Sequence, residues 1–363
     1  MSACTGPTAA TDTGDASETG EDESEGGSEA ESETGETGDP YVPTPGEDAT
    51  IVAYEQAYVY FGDENHRQID VVVEFPPAEL TYAGAELEIE LSCPNGKCDW
   101  WDRHGFLGVV IDPGSDQERI VELARFITPY RVGANWTIDV AALRPLLAGE
   151  VTLRLFIDTW VGPGHANGDG WMVDARFVLK GGVPERIPIA VIPAWYETTF
   201  EYGNPMIPTA DSIAPVDVAI PAEATAVELR TLITGHGQGN LDNCAEFCPK
   251  NHGFLIGDQS YVKEILRDDC ADTPVEGQQG TWQYSRAGWC PGAEVLAWVE
   301  DVGAAMPAGA TTTLRYDVEA YENSCRPDAP ECTGCSLGTG CEYDGGNHTA
   351  PVYKFSSVVV AFR

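Results

Sequence analysis

Positive charge is scarce in this chain of 363 residues, where 20 Lys and Arg stand against 59 Asp and Glu for a formal charge of −39. A surface of that sign repels nucleic acid and anionic membranes, so neither is an expected partner. Long hydrophobic runs are also missing. A membrane-spanning helix needs ~20 consecutive apolar residues, whereas the longest apolar runs here are strand-sized, such as Val358 to Phe362. No transmembrane segment is expected. Phosphate-binding loops and serine-triad motifs are lacking as well, and Ser285 has no GxSxG setting. What remains is 42% hydrophobic and 9% aromatic, enough to fill more than one core and to exclude a wholly disordered chain.

The charge is uneven. Residues 1 to 48 hold 14 Asp and Glu, no Lys or Arg, and no Leu, Ile, Phe or Trp. Such a segment buries too little apolar surface to offset its ordering entropy, so it reads as a disordered, self-repelling acidic tether. The remaining 315 residues carry 45 acids against 20 bases and are acidic in their own right.

Eleven cysteines set the compartment. Ten of them (Cys93, Cys98, Cys244, Cys248, Cys270, Cys290, Cys325, Cys332, Cys335 and Cys341) fall in the patterned region at short spacings, and Cys4 stands alone. The spacings do not form two matching CxxC halves, as a zinc site would require. An even, closely spaced set reads as disulfides of an exported protein, extracellular or on the cell surface. Ser2 and Ala3 before Cys4 resemble the end of a bacterial lipobox, so Cys4 is a candidate lipidation site and the protein a candidate outer-membrane lipoprotein.

Period-two alternation begins near Ile51 and recurs in Leu87, Ile89 and Leu91, in Val151 to Ile157, in Val227 to Ile233 and in Leu314 to Ala320. Bounded by Gly, Pro, Asn and Asp, such runs indicate half-buried antiparallel strands. Helical candidates are confined to Val140 to Leu147 and Tyr261 to Arg267. The pattern predicts an all-β protein of sandwiches or jelly rolls. An internal echo suggests two of them: Cys98 precedes His104-Gly105-Phe106-Leu107, and Cys248 precedes His252-Gly253-Phe254-Leu255. The Gly- and Pro-rich stretch from 181 to 193 is the expected boundary, giving domains over 49 to 182 and 188 to 363.

Three loops are dense in chemistry. Cys93-Pro-Asn-Gly-Lys-Cys98 leads into Asp99-Trp100-Trp101-Asp102-Arg103, Cys244-Ala-Glu246-Phe-Cys248 presents a glutamate between two cysteines, and Ser285-Arg286-Ala-Gly-Trp289-Cys290 pairs Arg with Trp. If extended, the first loop turns Asp99 and Trp101 one way and Trp100 and Asp102 the other. Asp158-Thr159-Trp160 closes a strand. Tryptophan stacks on sugar faces, carboxylates and Arg bond hydroxyl and acetamido groups, and a carboxylate activates water, so the combination suggests a carbohydrate site.

These segments, together with Arg125-Phe-Ile-Thr-Pro-Tyr130, resemble the peptide-N-glycosidase F family in order and separation from about residue 88 to 298. The resemblance implies two adjacent eight-stranded antiparallel jelly rolls with a cleft between them. It implies a monomeric, cofactor-free amidase that cleaves the bond between N-acetylglucosamine and asparagine in N-glycopeptides or N-glycoproteins. It further implies catalytic roles for Asp102, Glu246 and Asp158, substrate contacts from Trp101, Arg103, Trp160, His236, Arg286 and Trp289, and the disulfides Cys93 to Cys98, Cys244 to Cys248 and Cys270 to Cys290. The four cysteines from 325 to 341 lie in an apparent insertion over about 324 to 350, where three pairings are open. Two positions depart from the family: Asp158 stands where a glutamate is expected, and His236 where a tryptophan is usual. They motivate a rival reading as a glycan-binding surface protein without turnover. A copper monooxygenase of related architecture would need clustered His and Met ligands, but the six histidines include no HxH run.

Overall fold

The computed structural model describes residues 41–237, 245–272, 275–321 and 351–363. Its first half contains β1 (Thr44–Pro45), β2 (Ala49–Phe61), β3 (Asn65–His66), β4 (Gln68–Phe75), β5 (Leu80–Ser92), β6 (His104–Ile111), β7 (Arg119–Ile127), β8 (Ala134–Asp139), β9 (Gly149–Ile157) and β10 (Trp171–Gly181). The second half contains β11 (Pro188–Glu201), β12 (Val216–Ala219), β13 (Ala226–His236), β14 (Lys250–Ile256), β15 (Gln259–Ile265), β16 (Trp298–Asp301), β17 (Thr311–Val318) and β18 (Val352–Phe362).

Sheet order reveals the architecture. Setting aside the two-residue strands β1 and β3, eight strands remain in each half among the described residues, and numbering them first to eighth exposes one topology. In the first half β2, β10, β5 and β8 make one sheet and β4, β9, β6 and β7 the other; in the second, β11, β18, β13 and β16 face β12, β17, β14 and β15. Both read 1-8-3-6 against 2-7-4-5, the interleaving of a jelly roll. The protein is therefore all-β, with two such sandwiches.

Alternation explains the layers. Leu87, Ile89 and Leu91 on β5 are buried while the glutamates between them point outward, and Leu153, Leu155 and Ile157 on β9 do the same. The first core also takes in Val358, Val360 and Phe362 from β18, so the two sandwiches share packed surface. Where strands lie against the other sandwich, alternation disappears: β7 is buried along Val121 to Ile127.

Both helical expectations need correction. Tyr261 to Arg267 begins inside β15, which pairs with β14 through the turn at Gly257 (φ 58°). That stretch has no apolar stripe to bury as a helix, and the hairpin satisfies its backbone instead. Over Val140 to Leu147 only a short 3-10 turn forms, Ala141–Leu146, with Pro145 inside it. The acidic segment up to residue 40 and the Cys-rich stretch from 322 to 350, with Cys4, Cys325, Cys332, Cys335 and Cys341, lie outside the described residues.

Candidate active site

The two echoed segments are the fourth strands of their rolls, β6 and β14, and the chain leading into each carries a carboxylate. On the first roll, the disulfide Cys93–Cys98 closes a turn in which Asn95 and Gly96 both have positive φ (52° and 74°). The chain after Cys98 is not extended, so the alternating arrangement of its four side chains does not form. Asp99 points inward instead and is fully buried. Its carboxylate accepts hydrogen bonds from Arg103 Nε (2.8 Å), Thr159 Oγ1 (2.7 Å) and the Trp101 N–H (3.1 Å). A buried carboxylate must be so satisfied, and here it pins the loop from within. Gly168 crosses just outside; a Cβ there would meet the Cys98 carbonyl at 2.3 Å. Trp100 is covered on one face by the Arg131 guanidinium (3.8 Å), and Trp101 is half exposed.

Held this way, Asp102 faces the second roll. Its Oδ2 accepts from the Tyr130 hydroxyl at 2.7 Å and lies 3.8 Å from Arg286 Nη2. Arg286 donates from Nε to Glu246 Oε1 at 3.2 Å, so the two carboxylates share one guanidinium. Arg286 is only 1% exposed and is fixed by the carbonyls of Tyr284 (2.8 Å) and Thr281 (3.0 Å) and by the Thr281 hydroxyl (3.1 Å). The Glu246 backbone is tied in through the Ala287 N–H (2.7 Å), and Ala287 through the Gly235 N–H (2.9 Å). Only glycine fits at 235, because a Cβ would lie 2.0 Å from the Ala245 carbonyl.

Burial pushes the Asp102 carboxyl upward, against the Tyr130 hydrogen bond and the Arg286 charge, which pull it down. Glu246 is pushed up to about 7 by burial and then by the Asp102 charge, opposed by Arg286 and by the Gly237 N–H. Two raised carboxyls across one cation titrate as a coupled pair and favour a state with a single proton between them. Such a pair offers a base and an acid together near neutral pH.

The other expected residues are distributed differently. Asp158 leaves the end of β9, its N–H bonded to the His104 carbonyl (2.9 Å), and its carboxylate pairs with Arg67 at 3.0 Å. Arg67 in turn packs over Trp160 (4.4 Å) and Phe61 (4.9 Å), leaving Trp160 half exposed. Among the described residues, no hydrogen bond or ion pair links Asp158 to Asp102, Glu246 or Arg286. Trp289 is 3% exposed, its Nε1 donating to the Gly235 carbonyl (2.7 Å) and its ring lying 4.8 Å from the Arg286 guanidinium. His236 stacks on Trp289 (5.4 Å) and bonds the Thr234 hydroxyl through Nε2 (2.9 Å). The Trp289 ring is buried against Arg286, and His236 is half-buried on its far side. Arg103 is tied to Asp99 and is partly exposed.

The disulfide Cys270–Cys290 forms beside Trp289. Cys248 is disulfide-bonded, and its expected partner Cys244 lies outside the described residues. Sequence reasoning assigned no role to Tyr130, Thr281 or Arg67, nor to the partly exposed Phe247 and exposed Tyr284 beside Arg286. Tyr130 lay within a recognisable segment, whereas nothing local marked Thr281 or Arg67. Of the described residues, no three His, Cys, Asp or Glu side chains gather as metal ligands would.

Comparison with known proteins meets this geometry. The profile described as "Peptide-N-glycosidase F, N terminal" matches residues 104–168, and "Peptide-N-glycosidase F, C terminal" matches 205–331, together more than half of the chain. The chain belongs to the peptide-N-glycosidase F family. It is 27% identical over 287 residues to peptide-N(4)-(N-acetyl-beta-D-glucosaminyl)asparagine amidase F of Elizabethkingia miricola, covering 76% of this chain and 78% of that one. The structure of PNGase F from Flavobacterium meningosepticum superposes with a TM-score of 0.69 at 24% identity, over 87% of this chain and 96% of that one. PNGF-II superposes at 0.63 and 16% identity, over 87% and 66%. The first profile match begins just after Asp102 and Arg103, and the second takes in Glu246, Arg286 and Trp289.

Proposed function

We infer that this chain hydrolyses the amide bond between asparagine and N-acetylglucosamine in N-glycopeptides or N-glycoproteins. Family membership supports the reaction class. The observation that carries the reading is that Asp102 and Glu246, from corresponding connections of two rolls, converge on Arg286 with both carboxyls raised by burial. Asp102 acts as the base: it takes a proton from water as the oxygen attacks the side-chain carbonyl carbon. Arg286 stabilises the charge that develops on the carbonyl oxygen. Protonated Glu246 gives its proton to the departing nitrogen as the carbon–nitrogen bond breaks. Aspartate remains on the peptide, and a glycosylamine leaves, later exchanging its amine for a water-derived hydroxyl with loss of ammonia. Exposed Trp101 and Trp160 contact the faces of the core sugars, and Arg103 and Asp158 contact their polar groups.

Incubation with a denatured N-glycoprotein tests this reading. Glycan release with conversion of Asn to Asp in the peptide supports it; peptide recovered as Asn, or no release, defeats it. A second reading, glycan binding without turnover, draws on the engagement of Asp158 by Arg67, and binding of glycopeptide without release would favour it. The disulfides support export to an oxidising compartment. A lipid on Cys4 and a monomeric state are further proposals, checked by mass spectrometry and by sedimentation.

A further inference from the structure

The two halves of the site belong to different sandwiches, so their register depends on whatever locks the sandwiches together. One buried cluster stands at that junction. Glu122 and Arg125 on β7 have no exposed side-chain surface and form a forked pair, Nε to Oε1 at 2.9 Å and Nη2 to Oε2 at 2.5 Å. The remaining nitrogen of Arg125 crosses to the second sandwich, donating to the Lys354 carbonyl on β18 (2.8 Å) and to the Thr234 hydroxyl on β13 (3.2 Å). Ser356 on β18 donates to Glu122 from the same side. Beside the cluster a backbone ladder joins β7 to the segment after Cys290: Gly292 N–H to the Ile127 carbonyl (2.9 Å), Ile127 N–H to Ala293 (3.0 Å) and Val295 N–H to the Arg125 carbonyl (2.8 Å).

Both ends of this junction lead to the reacting groups. Along β7 the chain passes from Arg125 to Thr128, whose hydroxyl accepts the Arg103 N–H (2.8 Å), and then to Tyr130, which holds Asp102. From Thr234 the next residue is Gly235, which binds Ala287 and Trp289 beside Arg286 and Glu246. Apolar packing alone is non-directional and would resist sliding only weakly. A buried ion pair adds little stability over hydrophobic groups of the same shape, but its geometry favours one register.

We propose that Arg125 is a positioning residue for hydrolysis, its Glu122-braced fork fixing the register in which Asp102 reaches Arg286 and Glu246. This rests on the amidase reading of those residues. A displacement of about 1 Å between reacting groups costs on the order of a hundredfold in rate, so a modest slip is readable.

Arg125→Lys keeps the charge against Glu122 but cannot make the full fork, and Thr234→Val removes one crossing bond, together with the His236 bond, at nearly constant shape. The double variant Glu122→Leu with Arg125→Met removes both charges and leaves neither unpaired. For folded Arg125→Lys, kcat should fall roughly tenfold or more while KM changes less, with Thr234→Val showing a smaller loss. Carboxyl NMR titration of Glu246, which reads the site without turnover, should move down from its raised value as Asp102 draws away. Wild-type kcat, pH profile and Glu246 titration in folded Arg125→Lys or in the double variant would overturn the proposal. So would a loss of activity that disappears well below each variant's unfolding temperature. If the wild-type protein releases no glycan, the amidase reading fails while the titration still tests the register.

Discussion

The connections from third to fourth strand differ sharply between the two rolls, although each ends in His-Gly-Phe-Leu. In the first, the carboxylate follows its cystine: Asp99 anchors the loop from inside and Tyr130 holds Asp102. In the second, Glu246 precedes Cys248 and is held by Arg286. The fourth strands differ as well. β6 is buried almost throughout because its sheet packs against the other sandwich, while β14 alternates because one face meets solvent. His252 bonds the Tyr316 hydroxyl through Nδ1 (2.6 Å), its Nε2 without a partner among the described residues, whereas neither ring nitrogen of buried His104 has a hydrogen-bond partner among them. One motif thus serves two environments, and the unlike connections meet at Arg286.

The comparison breaks most clearly at the carboxylates. Asp102→Asn should reduce kcat by about 10³-fold or more, and Glu246→Gln by about 10²-fold, both with the fold intact by circular dichroism. Asp99→Ala should cost about 3 kcal/mol in urea unfolding because it strands Arg103 and Thr159, a loss without counterpart in the second connection.

The pH dependence of stability sharpens the contrast. Glu246, raised from 4.5 to about 7 in the folded state, binds its proton more tightly there than in the unfolded chain. Its contribution is therefore most favourable below 4.5 and is lost as pH rises toward 7. Glu246→Gln should flatten that part of the stability profile. Burial lowers His104 and His252, so their neutral forms favour folding above the unfolded value of 6.5, and that advantage is lost as pH falls. The smallest effect separates the echoed histidines. His104→Leu removes two unsatisfied buried nitrogens and should be neutral or stabilising by about 1 kcal/mol, whereas His252→Leu strands the Tyr316 hydroxyl and should cost about 1 to 2 kcal/mol.

Much of this was legible along the chain. Alternation in β5, β9, β13 and β17 identified strands because neighbouring residues face opposite sides, a property of local geometry. The four-residue echo marked corresponding strands of two rolls, and the resemblance to the peptide-N-glycosidase F family brought attention to Asp102, Glu246 and Arg286. Other features were not legible. A tryptophan beside an arginine suits an open platform as well as a core, and Trp289 became core because Ile127 from the first sandwich and Leu232 from β13 close over it. The pairing of Asp158 with Arg67, 91 residues away in the chain, had no local signal either.

Alternation and composition along the chain were enough for an all-β protein with two related halves, a strongly acidic first segment and three loops rich in acids, Arg and aromatic residues. Tertiary structure decided which acids share a cation and which are anchors, because burial and pairing depend on residues far apart in the chain. Arg125 meets Lys354 and Asp102 meets Arg286 only across the junction of two sandwiches, a relation that no local pattern encodes.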